Sequence, residues 1–297
     1  MDNHEPIDGW VNDHEAVEAI VELQPFASFG DTPANDIVVL PPHVFLWENA
    51  RKITGNLLPS RSQGSIGSCV SFGTARAVEY TMLAEIAQGD PESYKTLAEE
   101  VIYGGSRVEI GRKRIRGDGS IGAWAAEFVK QYGVVARGVY GKYDLSTYSE
   151  ATCRTFGNEG VPAELETIAR INPVKTITKV SSWGEAKKAL AQGYGISVCS
   201  NQGFSKKRDD NGVASAQGLW AHCMCLAGYI VLPSGEEYGR FDNSWGPNYT
   251  TGPVGWGNPG PEGFWASSIV THKMLAYNDS WAFSTVSGFP LRLDWVV

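Results

Sequence analysis

The two halves of this 297-residue sequence differ in their hydrophobic pattern, and this difference restricts the fold more than any other feature. In the first half, apolar residues recur at spacings of three and four, which is typical of helices packed on a core. In the second half, short β-branched or aromatic runs are separated by Gly, Pro and Asn, as in antiparallel strands. We therefore predict an α+β fold, with a helical lobe over about residues 60–140 and a β-lobe over about 175–270.

The helical pattern is strongest after Pro59, where a polar segment gives way to an apolar one that begins at Cys69 and continues to Ala87. A second helix is expected to end at Gly133 and a third at Gly193, because glycine commonly follows a helix C-terminus. The predicted elements are helices over 13–23, 69–87, 121–132 and 182–192, and strands over 195–199, 222–231, 238–243 and 263–269.

Composition restricts the classes of function. Hydrophobic residues make up 42% of the chain and charged residues 20%, so a sizeable core is expected. The formal charge of -8 disfavours nucleic acid and anionic membranes as partners, since both attract basic surfaces. The sequence has neither the pattern of a secretory signal nor a run of eighteen apolar residues. Five cysteines, an odd number, favour a reducing compartment over a disulfide framework.

Cys69 has the sequence context of a reactive thiol. The segment 63–72, QGSIGSCVSF, places it at the first turn of an apolar helix after small residues. A helix N-terminus presents free N–H groups and the positive end of the helix dipole, and both favour the thiolate. A lone cysteine at a helix start is otherwise more often a small buried apolar residue.

The segment 63–72 resembles the papain-like cysteine peptidases, whose motif runs Gln-Gly-x-Cys-Gly-Ser-Cys-Trp. Gln63 and Cys69 have the spacing of that motif. The resemblance implies that Cys69 is the nucleophile. It also implies that the Gln63 side-chain amide and the Cys69 backbone N–H form the oxyanion hole.

Two later segments extend the resemblance over about residues 40–270. The segment 220–229, WAHCMCLAGY, is similar to the family's strand that carries the catalytic histidine, and it identifies His222 as the general base. The segment 243–246, NSWG, matches the family signature without a mismatch. By resemblance, Asn243 orients His222, and Trp245 supports the site by shielding the Asn–His bond from water.

A weaker match begins at Asp118. The run DGS followed by a helix ending in Tyr-Gly-Val resembles the family's Asn-Gly-Gly segment, which holds the substrate as an added strand. Gly119 and Ser120 then take the substrate-binding positions. The nearby basic run (Arg112, Lys113, Arg114 and Arg116) is most simply a solvated loop, but beside a cleft it would favour acidic substrates.

The sequence departs from the family at three kinds of position. Val70 follows the nucleophile where the family has Trp, and Ser120 replaces the second glycine of the substrate-binding pair. Ile66 stands where the family has a cysteine, and the partner cysteine expected before Asp118 is absent as well. The remaining cysteines are interpreted as structural, and no metal or other cofactor is expected.

The resemblance implies a cysteine endopeptidase that hydrolyses peptide bonds of peptide or protein substrates through a thioester acyl-enzyme. Two alternatives stay open. The same residues could transfer an acyl group to an amine or cleave a cell-wall peptide. The fold could instead serve as a structural or binding component of a larger assembly, such as a virion, with weak or no turnover. The expected location is accordingly cytoplasmic or virion-associated.

We divide the chain into an N-terminal extension (1–40), a papain-like domain (41–270) and a C-terminal extension (271–297). The family's inhibitory propeptides are around a hundred residues long, whereas about 40 residues precede the region of resemblance here. The sequence therefore favours docking of the two extensions onto a larger assembly over inhibition in cis by the first of them.

Overall fold

The computed structural model describes residues 7–36, 40–90 and 93–284. Nine α-helices occur in these ranges, and short 3-10 turns (Phe29–Asp31 and Pro33–Asp36) and one π-helical turn (Ser106–Ile110) join some of them. The helices are α1 His14–Val21, α2 Trp47–Thr54, α3 Cys69–Ala87, α4 Glu99–Gly105, α5 Gly122–Tyr132, α6 Glu150–Glu159, α7 Ala163–Ala169, α8 Trp183–Ala191 and α9 Ser268–Leu275.

Nine strands are described, and all their pairings are antiparallel. Seven form one sheet in the order β4-β9-β5-β6-β7-β8, with β1 paired to β6, and β2 and β3 form a separate hairpin. The strands are β1 His43–Phe45, β2 Val139–Tyr140, β3 Tyr143–Asp144, β4 Thr176–Lys179, β5 Ile196–Arg208, β6 Ala214–Val231, β7 Glu237–Asp242, β8 Gly263–Ser267 and β9 Ser280–Ser284.

The predicted fold class is confirmed: helices α3 to α7 form one lobe and the antiparallel sheet dominates the other. Helix α3 begins at Cys69 as predicted and is buried from Cys69 to Glu85. It packs against β5 and β6, and the approach is close, because a Cβ on Gly73 would lie 2.8 Å from Cys223 Sγ. The N-terminus of α3 therefore lies directly beside β6.

Two charged side chains of α3, Arg76 and Glu79, are buried and form ion pairs. Glu79 pairs with Arg61 and, at 3.7 Å, with Arg76, while Arg61 also reaches Glu99 at 2.8 Å. At the other side of the helix, the Tyr80 hydroxyl donates to Asp242 Oδ2 at 2.6 Å. Buried charges need such partners, and these ion pairs and the Tyr80–Asp242 hydrogen bond connect α3 to both lobes.

The described parts of the two predicted extensions, residues 7–36 and 271–284, pack against the rest of the described chain. Helix α1 packs on α5 and buries Val17 and Ile20 in the main core. Strand β9 lies between β4 and β5 inside the sheet, where its backbone groups are paired on both sides. Residues 280–282 of β9 pair with β5, residues 281–284 pair with β4, and residues 285–297 lie outside the described residues.

Several segments have boundaries that the sequence did not predict. Strands β5 and β6 form a hairpin whose outer half, Gly203 to Leu219, lacks the apolar runs used to place strands. Residues 268 and 269, expected to end a strand, instead begin α9, because the Ser267 side chain accepts from Val270 N and caps the helix. No helix in the described ranges is long and apolar enough to cross a bilayer.

Candidate active site

The fold brings Cys69, His222 and Asn243 to the boundary between the lobes. Cys69 is the first residue of α3, His222 lies on β6, and Asn243 follows the last residue of β7. The backbone N–H groups of Cys223 and Val70 lie close enough to the Cys69 sulfur to lower its pKa, so this sulfur lies near the peptide that follows His222. The Ser68 side chain makes no cap bond, which leaves N–H groups of the first turn for the thiol.

A hydrogen bond fixes the orientation of the His222 ring. His222 Nε2 lies 2.8 Å from Asn243 Oδ1, which also accepts from Ser244 N at 2.7 Å. Because Asn243 Oδ1 is an acceptor in both bonds, Nε2 carries the hydrogen and Nδ1 keeps its lone pair. Nδ1 is buried and has no hydrogen-bond partner among the described residues. The ring can therefore accept a proton at Nδ1.

Trp245 covers this bond, as the resemblance implies. Its ring stacks on the His222 ring with centroids 4.0 Å apart and an interplanar angle of 27°. Trp220 in turn packs edge-on against Trp245 at 4.8 Å. The aromatic layer excludes water from the His222–Asn243 bond, which strengthens the bond in a low-dielectric environment.

Gln63 is linked to the same region through Ser244. The Ser244 hydroxyl donates to Gln63 Oε1 at 2.7 Å, and Gln63 N donates to Ser244 O at 2.8 Å. Gln63 Nε2 donates to Ile66 O at 2.8 Å. A primary amide has two N–H donors, so this bond leaves one hydrogen of Nε2 for another acceptor.

Gly119 and Ser120 lie on the helical-lobe side. The Arg107 guanidinium holds this segment by donating to Gly119 O at 2.5 Å and to Gly117 O at 2.6 Å. Gly119 has φ of 113°, a conformation that favours glycine. The Ser120 hydroxyl donates to Ser106 Oγ at 2.8 Å, so the side chain that replaces the family's second glycine is turned into the protein.

The departures near Cys69 are accommodated by apolar packing. Val70 is fully buried in the main core. Ile66 forms a small apolar cluster with Tyr103 and Cys153, at the position where the family has a cysteine. All five cysteines are free. Among the described residues, no group of three or more His, Cys, Asp or Glu is arranged to hold a metal ion.

The sequence analysis did not expect residues 8–11, here called the strap, to lie across this site. Gly9 N and Trp10 N both donate to Ala221 O at 2.9 Å, and Ala221 N donates to Asp8 Oδ1 at 2.9 Å. On the other side, Ser120 N donates to Gly9 O at 2.8 Å and Val11 N donates to Ser120 O at 2.9 Å. The strap thus bridges the residue before His222 and the segment expected to bind substrate.

Burial beneath the strap sets the protonation states of the site. Cys69 is 0% exposed and His222 is 1% exposed. Burial raises the pKa of the Cys69 thiol well above its usual range, and the nearby Asp8 carboxylate raises it further, against a lowering effect of the backbone N–H groups of Cys223 and Val70. Burial lowers the pKa of His222 to about 4, against a smaller opposing effect of Asn243. In this buried arrangement both pKa shifts favour the neutral thiol and the neutral imidazole over a thiolate–imidazolium pair.

Comparison with known proteins identifies the family. Residues 42–260 match the family model described as "Papain family cysteine protease", and the chain belongs to this family. It is 27% identical over 229 residues to "Cysteine proteinase 1" of Entamoeba histolytica, covering 74% of this chain and 62% of the relative. It is 26% identical over 220 residues to "Cysteine proteinase 2" of the same organism, covering 72% and 60%. The chain thus spans about six tenths of the length of these relatives.

The fold is shared with solved structures. The cysteine protease xylellain from Xylella fastidiosa superposes with a TM-score of 0.57 at 15% identity, covering 94% of this chain and 92% of that one. The digestive procathepsin L 3 of Tenebrio molitor larval midgut gives a TM-score of 0.55 at 16% identity, covering 95% and 84%. The family resemblance stated from the sequence is confirmed.

Proposed function

We propose that this protein is a cysteine peptidase in which Cys69 attacks the carbonyl carbon of a peptide bond in a peptide or protein substrate. The observation that carries the proposal is the His222 ring, held by Asn243 at Nε2 with Nδ1 unpartnered, beside the α3 terminus that bears Cys69. Membership of the family and the names of the matched relatives agree with this activity.

The reaction would proceed in two steps. His222 Nδ1 takes the Cys69 proton as sulfur attacks, and the imidazolium then protonates the leaving amine, which leaves a thioester on Cys69. Water, deprotonated by His222, hydrolyses this thioester and restores the thiol. The second hydrogen of Gln63 Nε2 and the Cys69 N–H would donate to the oxyanion that develops in each step. The substrate backbone would lie along Gly119 and Ser120, where the strap lies in the closed form.

The test is hydrolysis of a mixed peptide pool followed by mass spectrometry. We expect Cys69→Ala to reduce cleavage by about 10³-fold or more, because removing a nucleophile leaves only binding and oxyanion stabilisation. Cys153→Ala is the matched control, since this cysteine is equally buried but belongs to the Ile66 cluster. A slow ester substrate should add its acyl mass to Cys69.

The products also separate the alternatives. New amide bonds to added amines would indicate acyl transfer. Equal cleavage by the Cys69→Ala and unmodified chains would contradict the nucleophile assignment, and co-purification with a stable multimer would then favour the structural role.

A further inference from the structure

A short segment of the helical lobe, residues 148–150, here called the clamp, contacts residues 63–69. The latter carry both donors of the proposed oxyanion hole and are here called the oxyanion turn. The Tyr148 hydroxyl donates to Gln63 O at 3.1 Å. The same hydroxyl lies 3.3 Å from Ser68 Oγ. Tyr148 therefore contacts the oxyanion turn near both of its ends.

The two hydrogen bonds of Tyr148 have a defined direction. A carbonyl oxygen only accepts, so the single phenolic hydrogen is used for Gln63 O. Ser68 must then donate to the Tyr148 hydroxyl oxygen. Ser68 immediately precedes Cys69, and its side chain makes no cap bond with α3. The Tyr148 hydroxyl is thus the partner that holds the Ser68 side chain at the start of this helix.

The Glu150 carboxylate holds the middle of the oxyanion turn. The Ser65 hydroxyl donates to Glu150 Oε2. The carboxylate also lies over Gly64, where it leaves no room for a Cβ. Gly64 has φ of 64°, a backbone conformation that also favours glycine. The clamp therefore contacts the oxyanion turn at its middle as well as at its ends.

The clamp is anchored on buried groups of the helical lobe. Ser149 N donates to Glu100 Oε1 at 2.9 Å, and Glu100 pairs with Arg137 at 3.0 Å. The Ser149 side chain caps α6. The Tyr148 ring packs edge-on against Phe72 of α3, with ring centroids 5.0 Å apart. With this support the clamp can restrain the oxyanion turn instead of moving with it.

No disulfide restrains the oxyanion turn in this chain, because all five cysteines are free. The family has a cysteine where Ile66 stands, and the partner expected before Asp118 is absent as well. The positions of Gln63 Nε2 and Cys69 N therefore depend on hydrogen bonds and packing. Ser244 supplies these bonds on the β-lobe side, and the clamp supplies them on the helical-lobe side.

We propose that Tyr148 is a positioning residue, which holds Gln63 and the start of α3 so that the two oxyanion donors point at one site. The effect on turnover rests on the proposed function, but the restraint on the oxyanion turn can be measured without substrate. Removing the Tyr148 hydroxyl releases both ends of the turn, while Gln63 keeps its bonds with Ser244.

Tyr148→Phe is the main variant, since it removes the hydroxyl and keeps the ring that packs on Phe72. Tyr140→Phe is the matched control. Its hydroxyl also donates to a backbone carbonyl, Ala136 O at 2.8 Å, and it lies in the β2–β3 hairpin of the same lobe. Both tyrosines are partly buried. Circular dichroism checks that each variant remains folded.

The first measurement is hydrogen–deuterium exchange of the full-length chain without substrate, read on the peptide that covers residues 63–69. We expect the amides of this peptide to exchange about fivefold faster in Tyr148→Phe, because losing a hydrogen bond makes local opening easier. Tyr140→Phe should match the unmodified chain. Glu150→Ala should act in the same direction by a smaller factor, since its bond to Ser65 is exposed to water.

The second measurement is steady-state kinetics on one peptide substrate. We expect Tyr148→Phe to lower kcat by about tenfold and to change KM by less than about twofold. Displaced donors weaken binding of the developing oxyanion more than binding of the substrate, whereas a general loss of folded protein would lower kcat and the stability together. Tyr140→Phe should leave both constants unchanged.

Unchanged exchange in Tyr148→Phe and Glu150→Ala would overturn the inference. Faster exchange with unchanged kcat would overturn the positioning role, because the restraint would then be local to the turn. If exchange becomes faster but the unmodified chain cleaves no peptide, the restraint stands and the peptidase assignment fails, and with it the catalytic part of the inference. If both chains cleave peptides with equal kcat, the assignment stands and the positioning role fails.

Discussion

The two sides of the candidate active site are held in different ways. On the β-lobe side, Asn243, Ser244 and Gln63 are joined by side-chain hydrogen bonds among residues that are at most 5% exposed. On the strap side, closure depends on backbone hydrogen bonds and one anchoring side chain, Trp10. The proposed catalytic geometry is thus held by side chains of the two lobes, whereas the closure over it is held by a segment of four residues.

The largest expected effect on turnover comes from a residue on the β-lobe side of the site. Asn243→Ala should reduce kcat for peptide hydrolysis by about 10³–10⁴-fold, because the His222 ring loses the partner that fixes its tautomer. Asn211→Ala, in an exposed turn, is the control. A loss below tenfold would mean that packing under Trp245 orients the ring without Asn243.

The next largest effect is expected from Gln63, whose side-chain amide would donate to the oxyanion of the substrate. Gln63→Ala should lower kcat by about 10²–10³-fold with a smaller change in KM, since the donor acts mainly on the developing oxyanion. Steady-state kinetics on one peptide would measure the changes in kcat and KM separately. A change confined to KM would place Gln63 in ground-state binding.

Asp279 lies where the two sides meet, and its removal should affect stability. Asp279→Ala leaves the buried N–H groups of Gly122 and Ala123 without their acceptor, so we expect a loss of about 2–4 kcal/mol in the free energy of unfolding. Urea denaturation measures it, and Asp210→Ala on the exposed hairpin is the control. If Trp10→Ala abolished this loss, the contribution of Asp279 would depend on the strap.

The closed site should respond to acid in a defined direction. The pKa of His222 is lowered from 6.5 to about 4 by burial, so the closed form disfavours protonation of the ring. The stabilisation of the closed form from this group is complete above pH about 6.5 and is lost as the pH falls toward 4, at most about 3 kcal/mol.

NMR titration of labelled histidine tests the origin of this shift. A Cβ on Gly9 would lie 2.4 Å from Gly67 O, so Gly9→Ala should displace the strap. His222 should titrate near pH 4 in the unmodified chain and at clearly higher pH in Gly9→Ala, where water would reach the ring. Titration at the same pH in both chains would show that the strap does not cause the shift.

The smallest effect is expected from the basic loop. Arg112, Lys113, Arg114 and Arg116 are exposed, and Arg107 connects their loop to Gly119 through Gly117. Replacing the four with Gln or Ser should change the preference for acidic over neutral peptides by less than about fivefold, since exposed charges interact weakly. Unchanged preference ratios would show that the basic loop does not contribute to substrate selection.

Local pattern and family motifs were enough to place the fold and the residues around Cys69. The start of α3 was predicted to the residue, because small residues and an apolar helical period coincide there. The bond between His222 and Asn243 follows from two motifs that fall on adjacent strands of the sheet. These features are recognisable because each is carried by a short contiguous segment.

The strap and its bond to Asp279 could not be predicted in the same way. Trp10 and Asp279 are 269 positions apart and neither belongs to a periodic pattern. The outer half of the β5–β6 hairpin was missed because its side chains are largely polar or exposed. In both cases the structure depends on backbone pairing between distant segments, which leaves little signal in the residue types.

Because the strap is continuous with α1 and makes backbone hydrogen bonds with Ser120, a peptide that binds along Ser120 would have to displace a segment of the same chain. A short tether can give an effective concentration on the order of millimolar, which dilution of the protein does not reduce. The apparent affinity for any peptide is then the intrinsic affinity multiplied by the open fraction. Closure by residues 8–11 would therefore raise KM for every substrate by a common factor, and preference between substrates would be unchanged.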